Sequence, residues 1–410
     1  MPNAIQTKAK NAKNDEFYTQ YADIENEISG YLEFNPDVFR GKTVLLPCDD
    51  PEWSNFTKYF AQNFERFGLK KLISTSYAVE SKKYKSGYQP TLFETSDPQF
   101  DKIKTVKNGK IFTLSHDKTG DRKINVNDLE WHYLKGDGDF RSDEIKKLRD
   151  ESDIIITNPP FSLFREFLAW IFEAEKQFVI IGNMNAIAYK EVFPLIQNDK
   201  MWTGIRFNKR LNGKNMTFLV PDNYSLSGTE VEMSSDGKKM ISVAGTGWFT
   251  NLEHGRRHQP LPLMTMADNL KYSKHKEIKG KKSYDRYDNY NAIEIPFTDA
   301  IPSDYDGIMG VPISFLDKYN PEQFEILGIT QRGCHDKVPD TKKYDDYWEV
   351  KPNGEKTGSS GGKTNENPNL LGNDGKKNYF INKEGRVIQS AYQRIFIKHR
   401  KSKNGNNAKN

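Results

Sequence analysis

Cysteine is nearly absent from this 410-residue chain: Cys48 and Cys334 are the two, and their spacing matches neither a disulfide framework nor a thiolate metal site. A reducing cytoplasm suits such a chain. The seven histidines are scattered without ligand spacing, so no metal centre is expected. No apolar run approaches the roughly 20 residues that cross a bilayer. Residues 1–14 are rich in Lys, Asn and Ala and lack an apolar core, which reads as a disordered basic tail and not as a secretory signal. Internal repeats are missing too. Acid is missing beyond Glu384, where Arg386, Arg394, Lys398, Arg400, Lys401, Lys403 and Lys409 accumulate.

What is present starts with charge. The net value is only +5, so its distribution decides more than its size. A basic run from Lys271 through Lys274, Lys276, Lys279, Lys281 and Lys282 is interleaved with tyrosines. Basic runs with aromatics suit phosphate contact and base stacking. A solvated surface explains any single run equally well.

Apolar runs alternate with helical periodicity over the first 250 residues or so. Asp15–Tyr31 reads as a helix, Lys42–Leu46 as a buried strand, and Ser54–Phe67 as an amphipathic helix. Lys70–Thr75 reads as a second strand, followed by a polar, turn-rich excursion over Asp97–Asn108 and a short apolar segment at Trp131–Leu134. Ile154–Ile156 is a β-branched run, followed by a helix over Leu163–Lys176 and a strand at Phe178–Ile181. Strand and helix alternating in this way predicts an α/β, doubly wound sheet. Beyond Asn251 turn residues dominate and the helices look short. Lys351–Lys377, rich in Gly, Asn, Ser and Lys, reads as a mobile loop. The expected organisation is a tail over 1–14, a first domain over 15–255 and a second over 256–410.

The strand ends carry the chemistry. After Ile154–Ile156 comes Asn158-Pro159-Pro160-Phe161. Neither proline can donate to a ladder, and the first holds Asn158 extended, so the strand stops in a stiff loop. Asn158 offers an amide oxygen, Pro159 a carbonyl and Phe161 a ring, a set that suits a planar group bearing an exocyclic amine. A Pro-rich turn with a packed Phe accounts for the tetrapeptide equally well. Asp49-Asp50 after the first strand could meet a ligand or cap the next helix. Asp139-Phe140, in Gly136-Asp-Gly-Asp-Phe140, could be a binding loop or a tight turn.

Taken together and in order, Asp15-Glu-Phe-Tyr-Thr-Gln-Tyr-Ala-Asp-Ile-Glu25, Cys48-Asp-Asp-Pro51, Gly138-Asp-Phe-Arg-Ser142, Asn158-Pro-Pro-Phe-Ser-Leu-Phe164 and Trp248-Phe-Thr-Asn251 resemble the EcoRI-type adenine-specific DNA methyltransferases. The resemblance covers about residues 14–260 and extends less specifically to about 330. It implies a Rossmann-like methyltransferase fold with a mixed α+β recognition region at the carboxyl end. It also implies methyl transfer from S-adenosylmethionine to the N6 amine of an adenine flipped out of duplex DNA. Asn158, Pro159, Pro160 and Phe161 would then form the catalytic loop, with Trp248 or Phe249 across the base pocket. Tyr18, Thr19, Pro47, Cys48, Asp49, Asp50, Asp139 and Phe140 would hold the cofactor, the last by packing on its adenine ring. Arg256, Arg257, Lys276 and Arg394 are candidate DNA contacts. The resemblance is compatible with a cognate restriction endonuclease as partner and equally with a solitary methylase.

The chain departs from the family pattern twice. Asp-Asp-Pro-Glu-Trp53 replaces the glycines usual after the first strand. Ser74-Thr-Ser-Tyr77 ends the second strand without the acid that commonly meets the ribose, for which Glu80 or Glu94 could substitute. Two rival readings are an N-methyltransferase acting on ribosomal RNA or a protein glutamine, and a catalytically silent DNA-binding protein on the same scaffold.

Overall fold

The computed structural model describes residues 18–49, 54–78, 97–205, 216–220, 231–234, 237, 239–330, 338, 341–365 and 367–400. The basic tail and Asp50, Glu80, Glu94 and Cys334 lie outside these. Two compact units divide the chain: Met1–Ala186 with Met201–Gly255, and Ile187–Lys200 with Arg256–Asn410.

In chain order the strands of the first unit are β1 (Tyr18–Thr19), β2 (Thr43–Leu46), β3 (Lys71–Ser76), β4 (Lys110–Leu114), β5 (Glu130–Tyr133), β6 (Ile154–Thr157), β7 (Gln177–Asn183), β8 (Trp202–Thr203), β9 (Thr217–Leu219), β10 (Val231–Met233), β11 (Lys239–Ser242) and β12 (Thr246–Thr250). Eight of them form one sheet in the order β5-β4-β3-β2-β6-β7-β12-β8. The central β3-β2-β6-β7 are parallel. The flanking pairings, β3 with β4, β4 with β5, β7 with β12 and β12 with β8, are antiparallel. The fold is therefore mixed α/β, with a parallel centre and antiparallel edges.

The longer described helices of this unit are α1 (Tyr21–Phe34), α2 (Asn55–Gln62), α3 (Asp143–Glu151) and α4 (Phe164–Glu173). Every residue of β2 and β6 is buried, as strands covered on both faces require. Neighbouring residues of a strand point to opposite faces, and β12 displays both. Trp248 turns towards Phe56 of α2, at 6.1 Å between ring centroids, while Phe249 turns towards Phe164 of α4, at 5.4 Å. Ile24, Ile28 and Tyr31 of α1 join the cluster on the Trp248 side. Gly182 of β7 has no room for a side chain, because a Cβ there would lie 2.3 Å from the Phe164 ring.

Several expected boundaries shift for identifiable reasons. The first helix starts at Tyr21, not Asp15, since Tyr18 and Thr19 pair with β9 and Gln20 Nε2 binds the Thr217 carbonyl at 3.0 Å. The expected excursion at 97–108 contains a short helix, Lys102–Lys107, capped by Asp101, whose carboxylate accepts from Ile103 N at 2.9 Å and Lys104 N at 3.0 Å. Strand β4 had no counterpart in the sequence reading.

The second unit continues with helix α5 (Met266–Tyr272) and strands β13 (Ala292–Glu294), β14 (Ile308–Pro312), β15 (Phe324–Ile329), β16 (Trp348–Val350), β17 (Lys356–Ser360), β18 (Asn369–Leu371), β19 (Tyr379–Ile381), β20 (Val387–Ser390) and β21 (Arg394–His399). They form two sheets, β13-β14-β21-β15 and β17-β16-β19-β20-β18. The stretch 351–377, expected to be a mobile loop, instead contributes β17 and β18. Two of its glycines, Gly354 and Gly372, sit outside the strands with φ of 88° and 84°, which L side chains rarely adopt.

Candidate active site

The parallel strands grow in opposite directions from their centre. The crossover through α2 carries the chain from β2 to β3, and that through α4 carries it from β6 to β7 on the other side. At such a reversal the loops part, leaving a crevice at the carboxyl ends of the strands. Here those ends are Pro47-Cys48-Asp49 and Asn158-Pro159-Pro160-Phe161. The Thr157 hydroxyl donates to the Pro47 carbonyl and ties them together. Both prolines are buried, whereas Asn158 and Phe161 are half-buried, with the Asn158 Oδ1 atom itself inside the surface.

A small sheet, β1-β9-β11-β10, brings a third segment to this place. Phe161 meets Phe218 of β9 edge-on at 6.5 Å, and Phe218 lies opposite Thr19 of β1. Asn55, the first residue of α2, donates to the Thr19 carbonyl at 2.8 Å. The Thr19 hydroxyl is buried and has no hydrogen-bond partner among the described residues. A ligand atom would satisfy it.

Asp49 is 3% exposed. Its Oδ2 accepts from Thr57 N at 3.1 Å and from the Thr57 hydroxyl, which secures the first turn of α2 beside the Ser54 N-cap. The capping alternative is therefore realised at Asp49. Cys48 adopts a left-handed backbone, φ 63°, and its Sγ lies 3.8 Å from the Tyr77 hydroxyl.

The loop Gly136–Phe140 closes the far side of the β2 end. Ala78 N donates to the Asp137 carbonyl at 2.8 Å. Gly138 has φ 88°, and a Cβ there would sit 2.3 Å from the Ser76 carbonyl, so only glycine allows this approach. Arg141 grips Asp139 through Nε at 2.9 Å and Nη2 at 2.6 Å, and reaches Glu166 at 3.3 Å. Burial opposes ionisation of Asp139, but the Arg141 hydrogen bonds prevail and hold its carboxyl below the usual range. Burial, with Cys48 and Asp139 nearby, pushes the Tyr77 hydroxyl far above its ordinary value, so it stays protonated. Sequence reasoning passed over Tyr77 and Arg141. The available signal was a hydroxyl residue directly after a buried strand and a guanidinium two residues beyond an acid.

Other expected site residues belong to the core or to ion pairs. Phe140 is 1% exposed and packs edge-on against Phe167 and Trp170, at 5.1 and 5.7 Å, so it offers no open face to a ligand ring. Trp248 and Phe249 are both fully buried, because helices cover both faces of β12. Arg394 is held in the second unit by Glu294, and Arg257 by Asp199 at 2.5 Å; both guanidinium groups are buried. Arg256 pairs with Asp317 at 2.5 Å and remains one-third exposed. Lys276 is exposed, on a segment anchored by Lys274 and His275, each 2.8 Å from Asp299. Among the described residues no group of three His, Cys, Asp or Glu side chains is placed to hold a metal ion. No described helix is long and apolar enough to cross a membrane.

Comparison with known proteins gives matches over most of the chain. A family described as adenine-specific methyltransferase EcoRI matches residues 5–400. The chain is 44% identical over 325 residues to the Type II methyltransferase M.EcoRI of Escherichia coli, which covers 79% of this chain and 89% of that protein. It is 34% identical over 322 residues to the Type II methyltransferase M.MgeORF184P of Mycoplasma genitalium, with 78% and 84% covered. It is 33% identical over 322 residues to the Type II methyltransferase M.MpnI of Mycoplasma pneumoniae, with the same coverage. No solved structure matches the chain.

Proposed function

The chain belongs to the EcoRI family of adenine-specific methyltransferases, and from that premise we propose how its residues carry out the reaction. The enzyme is a Type II, site-specific DNA methyltransferase that modifies the N6 amine of adenine. The first unit is a Rossmann-like, doubly wound catalytic domain, and residues 256–410 form the target-recognition region. One observation carries the reading: the Asn158–Phe161 loop is tied to the Pro47–Asp49 turn where the parallel strands reverse their direction of growth.

S-adenosylmethionine, when bound, supplies an electrophilic methyl group. The residues around the β2 and β3 ends fit it chemically. The Thr19 hydroxyl lacks a partner among the described residues, Asp139 offers a partly exposed carboxylate, and Tyr77 offers a hydroxyl. Tyr18, Thr19, the Pro47–Asp49 turn and Asp50, which lies outside the described residues, would hold the methionine end, and Asp139 the adenosine end. Phe140 would support that site from beneath.

The N6 amine of adenine is a weak nucleophile because its lone pair is conjugated with the ring. Asn158 Oδ1 and the Pro159 carbonyl accept its two hydrogens and favour a pyramidal nitrogen with the lone pair released. No covalent enzyme intermediate is required, and Cys48 has no nucleophilic part. The rate comes from positioning and from dipoles fixed before reaction. Flipping the base out of the duplex costs a few kcal/mol. Stacking on Phe161 offsets about 1–3 kcal/mol of that.

The reading expects a cytoplasmic, nucleoid-associated enzyme, working either beside a restriction endonuclease that acts on the same site or as a solitary methylase. Substituting Asn158→Ala tests the catalytic assignment. Turnover should vanish while S-adenosylhomocysteine still binds, as followed by single-turnover kinetics and calorimetry. Near-wild-type turnover would overturn it.

A further inference from the structure

The carboxyl end of β3 poses a question that the family reading leaves open. In nucleotide-binding α/β sheets an acid near this place commonly accepts hydrogen bonds from the ribose hydroxyls. Here the strand closes with Ser74-Thr75-Ser76 and no acid. Ser74 Oγ donates to the Asp49 carbonyl at 2.9 Å, and Ser76 Oγ accepts from Lys110 N at 3.3 Å, so both face inward duties. Tyr77 comes next and is half-buried.

Its hydroxyl sits where three segments meet. Cys48 Sγ from the β2 turn lies 3.8 Å away, and the Phe140 backbone N–H from the 136–140 loop bonds to the hydroxyl. The Asp139 carboxylate is close enough to act on it electrostatically. That carboxylate is itself engaged by three bonds from Arg141, two from the guanidinium and one from the backbone N–H. Gly138 makes the meeting possible, since any side chain there would strike the Ser76 carbonyl. With the Cys48 thiol and a backbone N–H both directed at its oxygen, the hydroxyl keeps a proton to donate. Among the described residues no hydrogen-bond acceptor for that proton is found, and a ligand oxygen would supply one.

We infer that Tyr77 is the residue at the end of β3 that recognises the ribose of the methyl donor, as a hydrogen-bond donor to a ribose hydroxyl oxygen. It stands where related sheets place an acceptor, which inverts the direction of that hydrogen bond. The inference rests on the reading that S-adenosylmethionine is the donor. Tyr77 is thus a binding residue, with Cys48, Gly138 and the Phe140 amide positioning its hydroxyl.

The test is a binding cycle on the full-length protein. S-adenosylhomocysteine and its 2′-deoxy and 3′-deoxy forms are titrated by calorimetry against wild type and Tyr77→Phe. Wild type should bind one deoxy form about 3- to 10-fold more weakly than the parent, the range expected for a single neutral hydrogen bond. Tyr77→Phe should bind the parent more weakly by a similar factor and lose the discrimination against that deoxy form. The variant is isosteric, and an unchanged melting temperature shows that its fold survives. Wild-type affinity or full discrimination in Tyr77→Phe overturns the inference alone. If wild type binds no S-adenosylhomocysteine, the donor reading fails and the inference with it.

Discussion

Replacing Arg394 with methionine separates a structural arginine from a DNA-binding one. Arg394 lies on β21 and reaches Glu294 on β13 across β14. Its Nε lies 3.1 Å from both Glu294 oxygens and its Nη2 lies 2.5 Å from Oε1. Tyr287 donates to the other carboxylate oxygen. The bridge passes Gly310 of β14, where a Cβ would lie 2.2 Å from the Tyr287 hydroxyl, so glycine leaves the room for it. Arg394 is 8% exposed and Glu294 6%. Removing the guanidinium strands a carboxylate in the interior, which costs about 3–5 kcal/mol. At about 2–4 °C per kcal/mol for a unit of this size, the melting temperature should fall by roughly 6–20 °C. The double variant Glu294→Gln with Arg394→Met removes the stranded charge and should recover most of that loss. Calorimetric melts of wild type and both variants measure the effect. The salt dependence of DNA affinity, followed by fluorescence anisotropy, checks the alternative. Were Arg394 bound to a DNA phosphate, its removal would lower the slope of log affinity against log salt by about 0.9. A melting temperature within about 1 °C of wild type, together with that drop in slope, would refute the structural assignment.

Two other outcomes follow from the geometry. Trp248→Ala should destabilise the first unit by about 3–5 kcal/mol, since it empties a fully buried site against Phe56; an unchanged melt with lost capture of the flipped base would restore a pocket role. The Asp139–Arg141 pair should stabilise the protein above the ordinary carboxylate value of about 3.9 and lose that contribution as pH falls through the lowered value in the folded state. Melts of wild type and Asp139→Asn between about pH 6 and pH 3 should therefore converge towards the acid end, and a gap independent of pH would contradict the pairing.

The centre of the first unit was legible because burial on both faces leaves a plain trace. Leu45-Leu46, Ile154–Ile156 and Phe178–Ile181 are unbroken apolar runs, each lying within a strand of the parallel centre. The Asn158–Phe161 loop was legible for the same reason, as two prolines dictate where β6 stops. The antiparallel edge was not. Lys110-Ile-Phe-Thr-Leu114 follows a charged helix and pairs only through β3 and β5, which local pattern does not announce. The family resemblance made Trp248 or Phe249 a candidate pocket wall, and opposite-facing neighbours implied that at least one is a core aromatic; helices on both faces bury both. Arg394 stands in the acid-free, basic carboxyl-terminal stretch and was read as a candidate DNA contact. Its partner Glu294 is a hundred residues away in sequence, and only the β13-β14-β21 pairing brings them together. The second unit as a whole hid behind short strands joined by Gly- and Asn-rich turns, a composition shared with loops.

The account stands or falls on methyl transfer from labelled S-adenosylmethionine to unmethylated duplex DNA, followed by nucleoside analysis and mapping of the modified positions. It expects the label as N6-methyladenine at one short motif in wild type. Label on RNA or protein in place of DNA, or no transfer by an enzyme that binds the cofactor, would contradict it.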